Sequence, residues 1–118
     1  MTPKTTDFSH QKIEKYILAM PNTKLDYPFG EDVAVYKFGS PPAVEKMFAI
    51  IQEDSDPLKL SLKCDPNLAE TLRARYDTVM PGYHLNKKHW NTIVLTGQLN
   101  WPEVQDLIRH SYDLVSST

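Results

Sequence analysis

The hydrophobic positions of the chain change their spacing several times, and each spacing predicts one kind of element. Near the N-terminus they recur at intervals typical of one helix face, at Ile13, Tyr16, Ile17 and Met20. Ser9 precedes this stripe as an N-cap, Phe8 can pack on Ile13 as a hydrophobic staple, and Pro21 ends the pattern. We therefore expect a first helix between Ser9 and Pro21.

Three strand-like segments follow this helix, at Val33–Phe38, Lys46–Gln52 and Leu58–Lys63. The third alternates between apolar and polar residues, with Leu58, Leu60 and Leu62 on one side and Lys59, Ser61 and Lys63 on the other. Polar, turn-rich connections separate the segments. This pattern predicts hairpins of an antiparallel sheet that has one solvated face.

The second half of the chain predicts two helices and two strands. Asp65 followed by Pro66 is a helix start, and Asn100 with Glu103 forms the capping box of a last helix. Between these helices we expect a short strand around Tyr83–Leu85, a turn that begins at Asn86, and a strand at Asn91–Thr96. The predicted order is α-β-β-β-α-β-β-α. This order predicts a single α+β domain over residues 1–118, with two layers and the helices on one face of an antiparallel sheet.

Composition excludes several classes of protein. The 118 residues carry a net charge of -2, so the chain as a whole is not a basic nucleic-acid-binding protein. One cysteine cannot form an internal disulfide, and no apolar run reaches the roughly 18 residues of a membrane span. Four glycines are too few to assemble a P-loop or a dinucleotide fingerprint. We expect a cytoplasmic protein that does not associate with membranes.

The candidates for catalysis and metal binding are weak. Cys64 precedes a helix N-terminus, which lowers a thiol pKa, but no base is specified at a useful spacing, so a small buried residue is the better interpretation. His84 and His89 with Cys64 match no zinc spacing. The acidic residues that flank the predicted turns match no calcium loop. We therefore expect no catalytic residues, no metal, no cofactor and no enzymatic activity.

Charge is distributed unevenly along the chain. Between Lys24 and Asp56 there are seven acidic and three basic residues, whereas between Pro57 and Thr92 there are six basic and three acidic residues. Within the second region, residues 81–90 combine two lysines and two histidines with Tyr83 and Trp90. Lysines contact phosphates and aromatic rings stack on bases. The alternative is that both aromatic residues anchor the core while the lysines lie on a solvated turn.

Five runs of residues together resemble the MmcQ/YjbR family of small bacterial proteins. These runs are YPFG (27–30), KMFA (46–49), LSLKCDP (60–66), PGYHLNKKHWNT (81–92) and LIRHSY (107–112). The resemblance implies a two-layer α+β fold like that of frataxin and of type III secretion chaperones. It also implies a DNA-binding role with hairpin wings beside the binding surface. The acidic ridge of frataxins is missing, since the first helix has Glu14 alone between Lys12 and Lys15.

Two hypotheses on function follow. The first is a module that binds double-stranded DNA by a basic face, with contacts from Lys59, Lys63, Arg73, Arg75, His84, Lys87, Lys88 and Trp90. The second is a protein-binding adaptor or chaperone-like module, in which Tyr27, Phe29 and Trp90 form an exposed apolar patch. Salt separates the two, because phosphate binding weakens steeply with salt and apolar association does not.

Overall fold

The computed structural model describes residues 8–83 and 85–117, and over these residues the chain forms three helices and one six-stranded antiparallel sheet. The elements are α1 His10–Leu18, β1 Thr23–Asp26, β2 Val33–Phe38, β3 Lys46–Gln52, β4 Lys59–Lys63, α2 Pro66–Arg75, β5 Val79–Pro81, β6 Trp90–Val94 and α3 Trp101–Ser116. The spatial order of the strands is β1-β2-β3-β4-β6-β5. The predicted α+β class is confirmed.

Two strands differ from the prediction. The predicted order lacked β1, a four-residue strand that pairs with β2 at the edge of the sheet. Its sequence, TKLD, has one large apolar residue, so the strand depends on its neighbour rather than on its own pattern. The short strand expected around Tyr83–Leu85 lies earlier, at Val79–Pro81, because it pairs there with β6. Tyr83 and Leu85 belong instead to the loop that joins β5 to β6.

The predicted helix starts are confirmed by hydrogen bonds. Ser9 Oγ accepts from the first turn of α1, and the Asp65 carboxylate accepts from two backbone N–H groups of α2. Asn100 and Glu103 exchange both bonds of a capping box, each 2.9 Å long. These contacts satisfy N–H groups that have no partner inside the helix. Among the described residues, no helix is both long and apolar enough to cross a membrane.

All three helices pack on one face of the sheet. Ile13 and Ile17 of α1 and Val104 and Ile108 of α3 share one buried cluster with the sheet residues beneath them, and Leu72 of α2 packs against this cluster. Leu60 and Leu62 belong to the same cluster, with Leu58 partly buried at its margin. The predicted leucine face of β4 therefore lies under the helices.

A β-bulge shapes this core where β2 meets β3. The register shifts after Tyr36, so Lys37 lies opposite Met47 and Phe48 has no opposite residue. Phe48 and Ala49, although adjacent in sequence, both enter the helix-side core. The Ser111 hydroxyl of α3 donates to the carbonyl of Phe48 at 2.5 Å and accepts from the backbone N–H of Lys63 at 2.9 Å. One buried side chain thus joins α3 to two strands.

The opposite face of the sheet, called the helix-free face here, carries no helix among the described residues, yet it is not fully solvated. Val35, Ile50 and Trp90 form a second buried cluster there, against which Leu85 of the β5–β6 loop packs. Ser61, expected on the solvated side of β4, is only 4% exposed. The expectation of a wet face is therefore wrong at the centre of the sheet, where a loop replaces a helix as the cover.

The substitution Leu60→Ala tests the assignment of the β4 faces. Leu60 is fully buried, so we expect the free energy of unfolding to fall by about 2–5 kcal/mol in urea denaturation. Leu18→Ala is the matched control, because Leu18 is 39% exposed at the end of α1 and should cost less than about 1 kcal/mol. Equal losses for both variants would contradict the assignment.

Candidate functional site

The two ends of the sheet differ in charge. Because the strands are antiparallel, the start of β2, the end of β3 and the start of β4 lie at one end, called the acidic end here. It carries Glu31, Asp32, Glu53, Asp54 and Asp56. The end of β4 and the start of β6 lie at the other end, called the basic end, which carries Lys63, Lys87, Lys88 and His89 together with the acidic Asp65. The uneven charge of the sequence is therefore also uneven in space.

A cleft of about 540 Å³ opens at the basic end. It lies where β4 ends, α2 starts and β6 begins. Its walls are formed by Lys63, Cys64, Asp65, Pro66, Asn86, His89, Trp90 and Leu114. Asn86 and His89 were not among the predicted DNA contacts, and the only signal for them was their place inside residues 81–92. The cation of Lys63 thus lies beside the loop that carries the other two lysines.

Residues 85–89 of the β5–β6 loop are held in place by Arg73 of α2. The guanidinium donates through Nε to Oδ1 of Asn91 at 2.8 Å and through Nη2 to the carbonyl oxygen of Lys87 at 2.6 Å. Asn91 in turn donates to the carbonyl of Ala69 at 3.2 Å, and it is 3% exposed. Two of the five N–H donors of the guanidinium are used inside the protein, so Arg73 acts as a brace for the loop. Its predicted phosphate contact stays a prediction, since the half-buried guanidinium keeps further N–H donors.

Trp90 is part of the core. Its side chain is 5% exposed and packs with Val35 and Ile50, so neither face of the indole is free for a nucleobase. Gly82 lies directly on it, since a Cβ at Gly82 would approach the Trp90 Cβ to 2.7 Å. The predicted stacking role of Trp90, and its place in an exposed apolar patch, are therefore wrong. The alternative interpretation as a core anchor holds for Trp90 but not for Tyr83, which is 58% exposed.

The other predicted contacts do not all meet at the basic end. Lys59 begins β4 opposite Gln52, so it lies at the acidic end, about 13 Å along the strand from Lys63. Arg75 places its guanidinium carbon 5.4 Å from the ring centre of Tyr76. His84 lies outside the described residues. Lys63, Lys87 and Lys88 remain as the predicted residues that the fold brings together.

Cys64 is buried beside the cleft, and its thiol is not activated. Burial, with a smaller contribution from the charge of Asp65, raises the pKa of the thiol to about 11. A nucleophilic thiol requires the opposite shift. The backbone N–H of Cys64 donates to the carbonyl of His89 at 2.8 Å, which closes the sheet next to the cleft. The residue therefore has a packing role at the strand end.

A second polar cluster joins α1 to the acidic end. The Tyr36 hydroxyl donates to Glu14 and the Tyr27 hydroxyl donates to Glu53, each at 2.6 Å, while His10 Nε2 lies 3.2 and 3.3 Å from the two carboxylates. The bond to Glu53 raises the pKa of Tyr27 to about 12, and burial raises that of Tyr36 further.

In the part of the chain that is described, no group of three His, Cys, Asp or Glu residues is arranged to hold a metal ion.

Comparison with known proteins places this geometry in a family. A family model described as YjbR matches residues 18–114. Uncharacterised protein YbdF of Escherichia coli O157:H7 is 31% identical over 90% of this chain and 83% of its own length. Uncharacterised protein YjbR of Escherichia coli K12 is 41% identical over 56% of each chain. These matches confirm the resemblance seen in the sequence.

Solved structures agree with the fold. One match is the crystal structure of Deinococcus radiodurans protein DR2400, which is assigned to domain DUF419. It superposes with a TM-score of 0.87 at 36% identity, over 99% of this chain and 83% of that one. A crystal structure from Pseudomonas syringae superposes with a TM-score of 0.75 at 28% identity, over 91% of this chain and 98% of that one. The two-layer arrangement is therefore shared along nearly the whole length.

Two arginines of α2 provide a matched test of the brace. We expect Arg73→Ala to lower the free energy of unfolding by about 1.5–3 kcal/mol, because it removes charge-assisted bonds to Asn91 and to the loop. Arg75→Ala, two residues away and exposed, should cost less than about 1 kcal/mol. Urea unfolding measures both. Equal small losses would show that Arg73 does not hold the loop.

The reactivity of Cys64 tests the state of its thiol. Because the pKa is raised to about 11, the thiolate is scarce at pH 7, and we expect alkylation by iodoacetamide to be much slower than for free cysteine with its pKa of about 8.5. The rate should keep rising with pH beyond pH 9, where that of free cysteine levels off. A rate at pH 7 above that of free cysteine would contradict this assignment.

Proposed function

The chain belongs to the YjbR family, and from this premise and the geometry of the basic end we propose that it binds the phosphate backbone of double-stranded DNA. The observation that carries the proposal is the convergence of Lys63, Lys87 and Lys88 on one end of the sheet, beside the 540 Å³ cleft. The proposal includes no catalytic step. It includes the cytoplasmic location expected from the sequence.

The lysines have the chemistry that backbone contacts need. Lys87 uses one of its three N–H donors on the carbonyl of Gly82 at 3.2 Å, which orients the ammonium and leaves two donors for phosphate oxygens. Lys88 is exposed, and its backbone N–H is held by Asn86 Oδ1 at 3.0 Å, so the turn that carries both lysines is fixed. A fixed turn loses little conformational entropy when it binds. The turn at residues 85–89 is then part of one of the wings.

The binding that follows is modest and insensitive to base sequence. Three cations neutralise few phosphates, and the ring of Trp90 is inside the core, so base contacts do not come from it. The acidic end repels the same backbone, which orients the duplex toward the basic end. This orientation reconciles a DNA-binding surface with a net charge of -2.

A protein partner is the second candidate function, favoured by two exposed aromatic residues. Phe29 is 63% and Tyr27 38% exposed, both in or beside the β1–β2 loop. Exposed aromatic side chains are enriched at protein interfaces. Binding of this kind would persist at high salt, whereas backbone binding would not.

Fluorescence anisotropy with a labelled duplex across a salt series tests the DNA proposal. We expect the wild type to bind with a Kd of roughly 10⁻⁴ M or tighter at low salt. Lys87→Glu/Lys88→Glu should weaken every duplex alike and reduce the slope of log affinity against log salt by about 0.9 for each lost contact. An unchanged midpoint of unfolding shows that the variant is folded.

The matched control is Lys15→Glu/Arg109→Glu, which changes net charge equally at exposed positions of the helix layer. It should bind nearly as well as the wild type. Equal weakening by both double variants would mean that net charge rather than the basic end governs binding. A wild type that does not bind at low salt, or a Lys87/Lys88 variant that matches it at every salt, would refute the proposed interface.

A further inference from the structure

A groove of about 220 Å³ lies on the helix-free face, outside the cleft at the basic end. Its floor is made of strand residues and its two sides come from the β1–β2 loop and the β5–β6 loop. The lining residues are Phe29, Val33, Ile50, Gln52, Ser61, Tyr83 and Leu85. Apolar walls with a few polar groups are typical of small-molecule sites. The volume is below the roughly 300–1,000 Å³ of pockets for drug-sized molecules, which limits an occupant to one or two rings.

Gln52 contributes an acceptor that the protein leaves unused. Its Oε1 is shielded from solvent and has no hydrogen-bond partner, the one such side-chain atom among residues 8–83 and 85–117. A buried acceptor without a partner is destabilising, and native proteins pair the great majority of them. Rotation of the side-chain amide about its last torsion would turn Oε1 into the groove that Gln52 lines, where an N–H or O–H donor of a bound molecule would supply the missing partner.

Ser61 contributes a donor next to this acceptor. The hydroxyls of Ser61 and Thr92 share one hydrogen bond of 2.7 Å, and Thr92 Oγ1 also accepts from the backbone N–H of Tyr83 at 3.1 Å. Two hydroxyl hydrogens serve one shared bond, so one hydrogen is spare. Thr92 is fully buried and does not line the groove, whereas Ser61 does. When Thr92 donates to Ser61, the spare hydrogen of Ser61 is available to the groove.

The two groups are close enough for one ligand. Ile50 lies opposite Ser61 and Gln52 lies opposite Lys59, so Gln52 and Ser61 are diagonal neighbours on one face of adjacent strands, about 7–8 Å apart at Cα. A long glutamine side chain spans part of that distance. We propose that the groove binds a small planar cyclic amide, whose N–H donates to Gln52 Oε1 and whose carbonyl accepts from Ser61, between the rings of Phe29 and Tyr83.

A peptide strand fits this site less well. The groove lies on the face of the sheet, where no backbone N–H or C=O of an unpaired edge is available to extend the ladder. A flat ring, in contrast, gains apolar contact with Val33, Ile50 and Leu85 and uses both polar groups. The occupant is therefore a small ring compound rather than an added peptide strand.

Titration of the ¹⁵N-labelled protein with 2-quinolone tests the site. This probe has an N–H next to a carbonyl, and we expect saturable shifts at the Gln52 side-chain amide and at Ser61. N-methyl-2-quinolone has the same rings without the donor and should bind about tenfold more weakly. Gln52→Met should lower the affinity for 2-quinolone by a similar factor, and it should leave the weak affinity for the methylated probe unchanged. Ser61→Ala should lower the affinity for both probes, since both have the carbonyl that accepts from Ser61.

Two control variants separate this site from general effects. Gln11→Met changes an exposed glutamine of α1 and should leave 2-quinolone affinity unchanged. Lys87→Glu/Lys88→Glu should also leave it unchanged, because neither lysine lines the groove. Gln52→Met should unfold at the same or a higher urea concentration, since it removes an unpaired acceptor. Equal affinity for both probes, an absence of saturable shifts, or unchanged 2-quinolone binding by Gln52→Met would overturn the proposal.

Discussion

The constraint on which the structure depends is that, over residues 8–83 and 85–117, the helices cover only one face of the sheet. The other face carries the apolar side chains of Val35, Ile50 and Trp90. These side chains must also be buried, because leaving their apolar surface in water would lower the stability of the fold. The β5–β6 loop covers them with Leu85, and Gly82 fits directly onto Trp90. A loop that covers a core cannot be freely variable. Arg73 also holds the carbonyl of Lys87 in this loop, so the two lysines that follow Asn86 are positioned by contacts with the rest of the fold.

This coupling explains why stability and candidate function meet in one segment. Arg73 and Asn91 connect α2 to the loop and to β6, and the bond from Arg73 reaches the carbonyl of Lys87. Fixing that carbonyl fixes the turn from which Lys87 and Lys88 extend. The same loop gives Tyr83 and Leu85 to the groove on the helix-free face. The two proposed sites thus share one support while using different side chains of it.

Local patterns predicted the parts of the fold that local chemistry determines. Helix starts at Asp65 and Asn100 depend on bonds within four residues, and alternation alone places Leu60 toward the helices. The bulge that turns both Phe48 and Ala49 inward has no such signal, since it arises from the pairing of β2 with β3. The role of Arg73 was missed, and the core role of Trp90 was only an alternative, for the same reason: their partners come from distant segments. Composition correctly located the basic region. It could not show which cations of that region already form hydrogen bonds inside the protein.

The antiparallel register converts a linear charge pattern into a spatial one. The acids that follow β3 and the lysines that precede β6 are separated by the length of the strands, and each group gathers at its own end. Net charge averages over this separation, so a value of -2 says little about the field that an approaching anion meets. Within about a Debye length of 8 Å at physiological salt, the local end governs attraction. Lys59 is an example of this effect of position. It lies at the acidic end of β4, so it is not part of the basic surface that contains Lys63, four residues further along the same strand.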